Sequence, residues 1–200
     1  MKIYLLIKRI INKPLPNLTK IMIIMGFFLT LVQVNRVGGS VVANALSNIH
    51  KLTPAEIGVV IGVMFLSSAL VQIPFGIMLD RFGARRMIVG WSSVAIIGMV
   101  IFGLAETSSG LTVGRTLIGI GHGASITGVY LLALAWASPE RVASVAATTI
   151  AVAGALGGMI GTAPLAAAIE YLGFTKTFLY LAVFSLVSSI LIWFFVNDKP

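Results

Sequence analysis

Gly76-Ile-Met-Leu-Asp80-Arg81-Phe-Gly83-Ala-Arg85-Arg86 is the stretch from which the fold can be read. Long apolar segments flank it, about 55 to 79 before it and 87 to 105 after it. A hydrocarbon core of about 30 Å takes roughly 20 helical residues to cross, so each flank is long enough for a span. In a chain that is only 10% charged, three arginines and one aspartate packed between two such runs mark a short polar turn at a membrane face.

Composition agrees with that reading. Hydrophobic residues make up 58% of the 200 and the mean hydropathy is +1.04, which excludes a soluble domain. The formal charge of +8 would suit a nucleic-acid partner on a polar fold. Here the lysines and arginines sit at the ends of apolar runs instead, so no nucleic-acid partner is expected. With no cysteine and only His50 and His122, neither a metal site nor a disulfide framework is expected, and nothing calls for a cofactor.

Read in order, the chain gives an all-α polytopic membrane protein of six spans. Residues 1–20 form a basic tail in which Lys2, Lys8, Arg9, Lys13 and Lys20 alternate with apolar residues, and Pro14 and Pro16 end any helix. No small-residue cleavage site follows, so this reads as a cytoplasmic tail on the membrane surface and not as a leader. A transmembrane bundle over 21–196 comes next, with spans at about 21–46, 55–79, 87–105, 111–136, 142–168 and 177–196, and a cytoplasmic end at 197–200. Thr53-Pro54-Ala55-Glu56 reads as an N-cap, a first-turn proline and a capping-box glutamate; Ser138-Pro139-Glu140 is a second helix start. In the fifth span Gly154, Gly157, Gly158 and Gly161 form two overlapping small-xxx-small patterns that admit a close neighbour, and Pro164 is placed to kink its outer end.

Charge sets the orientation. Of fourteen lysines and arginines, ten fall on the side of the tails and the arginine-rich turn, Lys51 and Lys176 fall on the other, and Arg36 and Arg115 lie within spans. Both termini are therefore expected in the cytoplasm.

Within the spans the polar residues are few. Gln33, Arg36, Ser40, Asn44 and Ser47 recur at helical spacing and fall on one face of the first span, a face expected to meet protein or water. Asn35 points the other way without evident reason. Arg36 sits about 15 residues into its helix, roughly 22 Å from the inner end, and can clamp a carboxylate or phosphate with two parallel bonds. The other reading is a structural arginine neutralised by a helix end or by a carboxylate outside this stretch. The second span adds Ser68 and Gln72, one turn apart. Arg115 and His122 share a face of the fourth span with Gly119 between them. His122 either titrates and helps couple protons, tuned by Arg115, or hydrogen-bonds to a neighbouring helix.

The G-x-x-x-D-R-x-G-x-R-R spacing of residues 76–86, placed between the second and third spans, resembles the signature loop of the major facilitator superfamily. Arg115 followed by Gly119, Gly121 and Gly123 is similar to that family's fourth-helix pattern, and 154–164 to its glycine-rich fifth helix. Asn35-Arg36 resembles the anion-transporting branches, in which a first-helix arginine contacts an anionic substrate. The resemblance implies a transporter and not an enzyme, with its substrate at a midplane site between two bundles that rock against each other. Gly76, Asp80, Arg81, Gly83, Arg85 and Arg86 would form a latch toward the other bundle, with Asp80 gaining charge-assisted bonds among the arginines and Gly83 permitting the turn. Gln33, Arg36, Ser40, Asn44, Gln72 and His122 would face a small organic anion, and Arg115, Gly119 and Gly123 would serve coupling or structure. A bacterial inner membrane is the expected location. Family members have twelve helices, so a C-terminal six-helix half or a second copy is the expected partner. Two other readings stand beside it. One is a truncated or split product that transports nothing. The other is an intramembrane serine protease built on Gly123-Ala-Ser125, for which the two histidines are poorly placed.

Overall fold

A computed structural model describes residues 17–198, so the basic residues Lys2, Lys8, Arg9, Lys13 and Lys199 of the topology count lie outside the described residues. Nine α-helices follow one another among the described residues. They are α1 (Asn17–Val37), α2 (Gly39–Asn48), α3 (Pro54–Phe82), α4 (Ala84–Leu104), α5 (Ser108–His122), α6 (Ser125–Trp136), α7 (Val142–Ile160), α8 (Ala163–Leu172) and α9 (Phe174–Phe195), with a 3-10 turn at Pro139–Arg141 before α7. Six helical stretches are long and apolar enough to cross a membrane. The fold is all-α, as the sequence leads one to expect.

Local signals set several of the boundaries. At the start of α3, Thr53 and Glu56 close a reciprocal capping box, with Pro54 at the first helical position. Helix α3 ends and α4 begins at Gly83, whose φ of 86° is open to glycine and hardly to anything else. Helix α1 starts at Asn17, four residues inside the segment expected to be tail; the first of these residues follow Pro16 directly and are free to enter a helix.

Three spans expected to be continuous are broken. The first is interrupted at Gly38, the fourth at Gly123 and Ala124, and the fifth at Gly161 and Thr162. Pro164 lies at the head of α8, where its missing N–H costs nothing, and so it starts a helix instead of kinking one. Close packing accompanies the breaks. A Cβ on Gly38 would lie 2.5 Å from Leu165 Cδ2 and 2.8 Å from the Val34 carbonyl oxygen, and Gly161 in turn abuts Gly38.

Helix α4 packs against α5 and α9, α5 against α3, and α1 against α7 and α9. Glycine makes these approaches possible. Gly98, Gly114 and Gly121 join α4 to α5, Gly119 sits on α3 at Met64 and Ser67, and Gly157 sits on α1 at Thr30 and Gln33. The buried apolar side chains divide into two clusters. One holds Met25, Phe28, Leu79, Ile88, Val129 and Ile192. The other holds Val34, Leu46, Met64, Phe102, Ile118 and Phe178. On α1, α3 and α5 the chain passes from one cluster to the other across a short polar stretch, and that layer holds the site.

Candidate functional site

The polar layer contains Asn35, Ser67, Ser68 and His122, all buried, and Arg36, which is half-buried. Arg36 reaches across from α1 to α3, where its Nη2 donates to Ser68 Oγ at 3.0 Å. Its Nε is shielded from solvent and has no partner among the described residues. No carboxylate bonds to it there, so the guanidinium keeps donors to spare in a dry setting. A shielded donor left empty costs roughly 1–3 kcal/mol, and a ligand acceptor would recover that.

His122 ends α5 at the break. Its ring lies edge-on to Phe28, 6.3 Å between centroids, and its Nδ1 is shielded without a partner. The cross-helix hydrogen bond that was one reading of His122 is not made among the described residues. Gly123 lets α5 and α6 close on α3, since a Cβ there would come within 3.1 Å of the Ser68 carbonyl oxygen. Ser125 Oγ donates to the His122 carbonyl at 2.8 Å and not to an imidazole, while His50 is held at the far end of the bundle against Phe174. No serine–histidine pair is formed.

Other expected members of the site do not gather here. The stripe Gln33, Arg36, Ser40, Asn44, Ser47 assumed one unbroken helix, but the interruption at Gly38 ends the 100° register after Arg36. Gln33 is half-buried against Gly154 and Gly157 of α7, and Ser40, Asn44 and Gln72 are exposed. Arg115 makes no hydrogen bond to His122 among the described residues. It is 2% exposed, lies over Phe102 at 4.5 Å, and gives its Nη1 to the Asn35 carbonyl at 3.2 Å. Asn35, unexplained in the sequence, is buried with its Nδ2 on the Leu31 carbonyl and its own carbonyl under Arg115. Ser68, noted in the sequence, was not among the residues expected to form the site. Its only signal was a hydroxyl inside an apolar run, one turn from Gln72.

At the opposite end of the molecule from His50, the arginine-rich turn is tied to the end of α9. Asp198 Oδ1 accepts from the Arg85 backbone N–H at 2.7 Å, and the Arg85 guanidinium stacks over Trp193 at 4.7 Å and reaches Asn197 Oδ1 at 3.4 Å. Trp136 donates its indole N–H to the Asn197 carbonyl at 2.8 Å. Asp80 was expected to make the charge-assisted bonds. It is exposed and makes none among the described residues, while the Arg85 backbone N–H at the head of α4 is taken by Asp198. Arg81 and Arg86 are also exposed, and Gly76 has open space where a side chain would be.

Six apolar helical stretches around a buried polar layer define an integral membrane bundle. The chain belongs to the Major Facilitator Superfamily, whose sequence pattern its residues 20–200 match. An uncharacterized transporter of Buchnera aphidicola subsp. Schizaphis graminum is 30% identical over 145 residues, covering 72% of this chain and 36% of the relative. The probable sulfoacetate transporter SauU of Cupriavidus necator is 26% identical over 170 residues, covering 85% of this chain and 39% of the relative. A solved bacterial homolog of the human lysosomal transporter Spinster has the same fold, with a TM-score of 0.78 at 18% identity over 94% of this chain and 45% of that one. The chain thus spans less than half the length of the proteins it matches.

Proposed function

We propose that this chain is the N-terminal six-helix bundle of a secondary transporter that carries a small organic anion across a bacterial inner membrane by alternating access, both termini facing the cytoplasm. One observation carries the reading: Arg36 is a cation in a shielded polar layer, fixed by Ser68 and left with an unpartnered Nε and no carboxylate. A carboxylate or sulfonate is the complementary ligand. The Cupriavidus relative, a probable sulfoacetate transporter, supports the same class. His122, buried with an unpartnered Nδ1 among the described residues, is the second polar group offered to the anion and the residue through which proton symport would act. The exposed Ser40, Asn44 and Gln72, and the exposed Asp80, Arg81 and Arg86, are available to a second six-helix half, which completes the transport path.

The test is binding and uptake of radiolabelled sulfoacetate by the chain reconstituted with a C-terminal six-helix half. Arg36→Lys keeps the charge and loses the planar fork, and is expected to bind more weakly. Arg36→Gln is expected to lose about 2 kcal/mol or more, some thirtyfold in affinity, since it removes a charge-assisted pair from a dry site. Equal binding by wild type and Arg36→Gln at equal expression would show Arg36 to be structural.

A further inference from the structure

Between α1 and α7 the surface opens into a groove of about 790 Å³. It follows α1 from Leu18 to Leu31, about 20 Å, and α7 from its cap Arg141 to Ile160, about 28 Å. Ile23 and Phe27 on one wall, and Val152 and Leu156 on the other, stand exposed along it. Its hydroxyls add little polarity, since Thr30 donates to the Gly26 carbonyl at 2.8 Å and Thr149 to the Val145 carbonyl at 2.9 Å, each on its own helix. Charge is confined to one end. Among the residues that line the groove Arg141 alone is charged; it is exposed at the head of α7, and Lys20 is exposed beside Thr19 at the same end of α1. The dipole of α7 also favours an anion there. The other end, at Leu31 and Ile160, is hydrocarbon. This groove is separate from the polar layer: Arg36 lies about 80–140° around α1 from Ile23, Gly26 and Thr30, which line it.

We propose that the groove binds one acidic phospholipid of the bilayer, with its phosphate on Arg141 and an acyl chain lying between α1 and α7. A phospholipid has the same layout as the groove, an anionic head at one end and hydrocarbon beyond it. Half of a bilayer that is about 40–45 Å thick with its headgroups is about 20–22 Å, so one lipid's length fits within the groove. A guanidinium takes a phosphate through two parallel bonds. A protein helix laid in the groove would match the apolar walls alone; an acidic phospholipid matches the walls and the charged end together.

The test is native mass spectrometry of the chain released from nanodiscs that hold equal amounts of phosphatidylglycerol and phosphatidylcholine. Wild type is expected to leave with one phosphatidylglycerol in preference to phosphatidylcholine. Arg141→Gln is expected to retain about fivefold less phosphatidylglycerol and to hold the two lipids alike, while Arg141→Lys keeps the preference. Gly26→Leu puts a side chain into the groove, where a Cβ would meet Thr149 Cγ2 at 3.8 Å, an ordinary contact that the backbone tolerates. Retention of both lipids is expected to fall in that variant. A phosphatidylglycerol with a photoreactive diazirine in its acyl chain is expected to label α1 and α7 of the wild-type chain, a readout that needs no substitution. Adding a C-terminal six-helix half is expected to leave the lipid in place. Unchanged retention in Arg141→Gln or in Gly26→Leu, a label that falls outside α1 and α7, or displacement of the lipid by the C-terminal half overturns the proposal; the last outcome would make the groove a protein interface.

Discussion

Gly83 is fixed by two constraints at once. Its φ of 86° with ψ of 152° lies where side chains are excluded, and a Cβ there would come within 2.6 Å of Asp198 Oδ2. Gly83→Ala is therefore expected to cost about 2 kcal/mol or more, the strain adding to the lost Asp198 contact. Asp198→Ala removes a side-chain acceptor from the head of α4 and is expected to cost about 1 kcal/mol, as for an N-cap. Both are read from reversible unfolding in mixed detergent micelles, and an Asp198→Ala chain costlier than Gly83→Ala would overturn the assignment. The need for glycine at 83 is legible in the sequence because a turn this short between two spans needs special backbone angles. The identity of the acid is not legible. Asp80 lies next to the arginines along the chain and Asp198 lies next to them in space, and only folding distinguishes the two. Arg36 stood out as a charge in an apolar run; Ser68 could be seen beside Gln72, but nothing along the chain pairs it with Arg36.

Individual helices show which part of a pattern the sequence carries. The glycines at 154, 157, 158 and 161 announce a close approach, yet the approach uses only one of the two overlapping pairs. Gly157 and Gly161 meet α1, while Gly158 faces open space. Gly157→Leu is expected to drive α7 from α1 and destabilise the bundle by about 2 kcal/mol or more, as overpacking does. Gly158→Ala is expected to stabilise it by about 0.5–1 kcal/mol, because alanine costs less than glycine in a helix interior. Thermal unfolding of the two variants side by side decides it, and equal destabilisation by both would mean that α7 presents a different face. The three breaks were invisible for a related reason. Hydropathy and 3.6-residue periodicity report which side chains are apolar, and Gly38-Gly39 or Gly123-Ala124 satisfy both whether the backbone continues or not.

At the scale of the molecule, the six spans were legible because lipid forces every backbone group to find its partner within a helix, so apolar length alone announces a crossing. Orientation is a separate claim. Lys51, in the turn before α3, and Lys176, at the head of α9, are expected outside, with Arg86 and Arg141 inside. Since the chain has no cysteine, Lys51→Cys and Arg86→Cys can be labelled singly with a membrane-impermeant maleimide. The first is expected to react in intact cells and the second only after permeabilisation. The reverse pattern would invert the molecule and move the arginine-rich turn to the outside. The relatives it matches are more than twice as long, and in the function proposed above the exposed polar residues of the bundle face a second half.

The tie between Asp198 and the Arg85 backbone has a consequence in time. Its two ends are 113 residues apart, so the ribosome must make four more spans after the arginine-rich turn before the turn can be fastened. At roughly 5–20 residues per second that is an interval of about 6–23 s. Throughout it the guanidinium of Arg85 has neither Trp193 nor Asn197 to rest on. The turn is thus fastened only when the sixth crossing is complete, which makes Asn197-Asp198 the clasp that marks the bundle as finished.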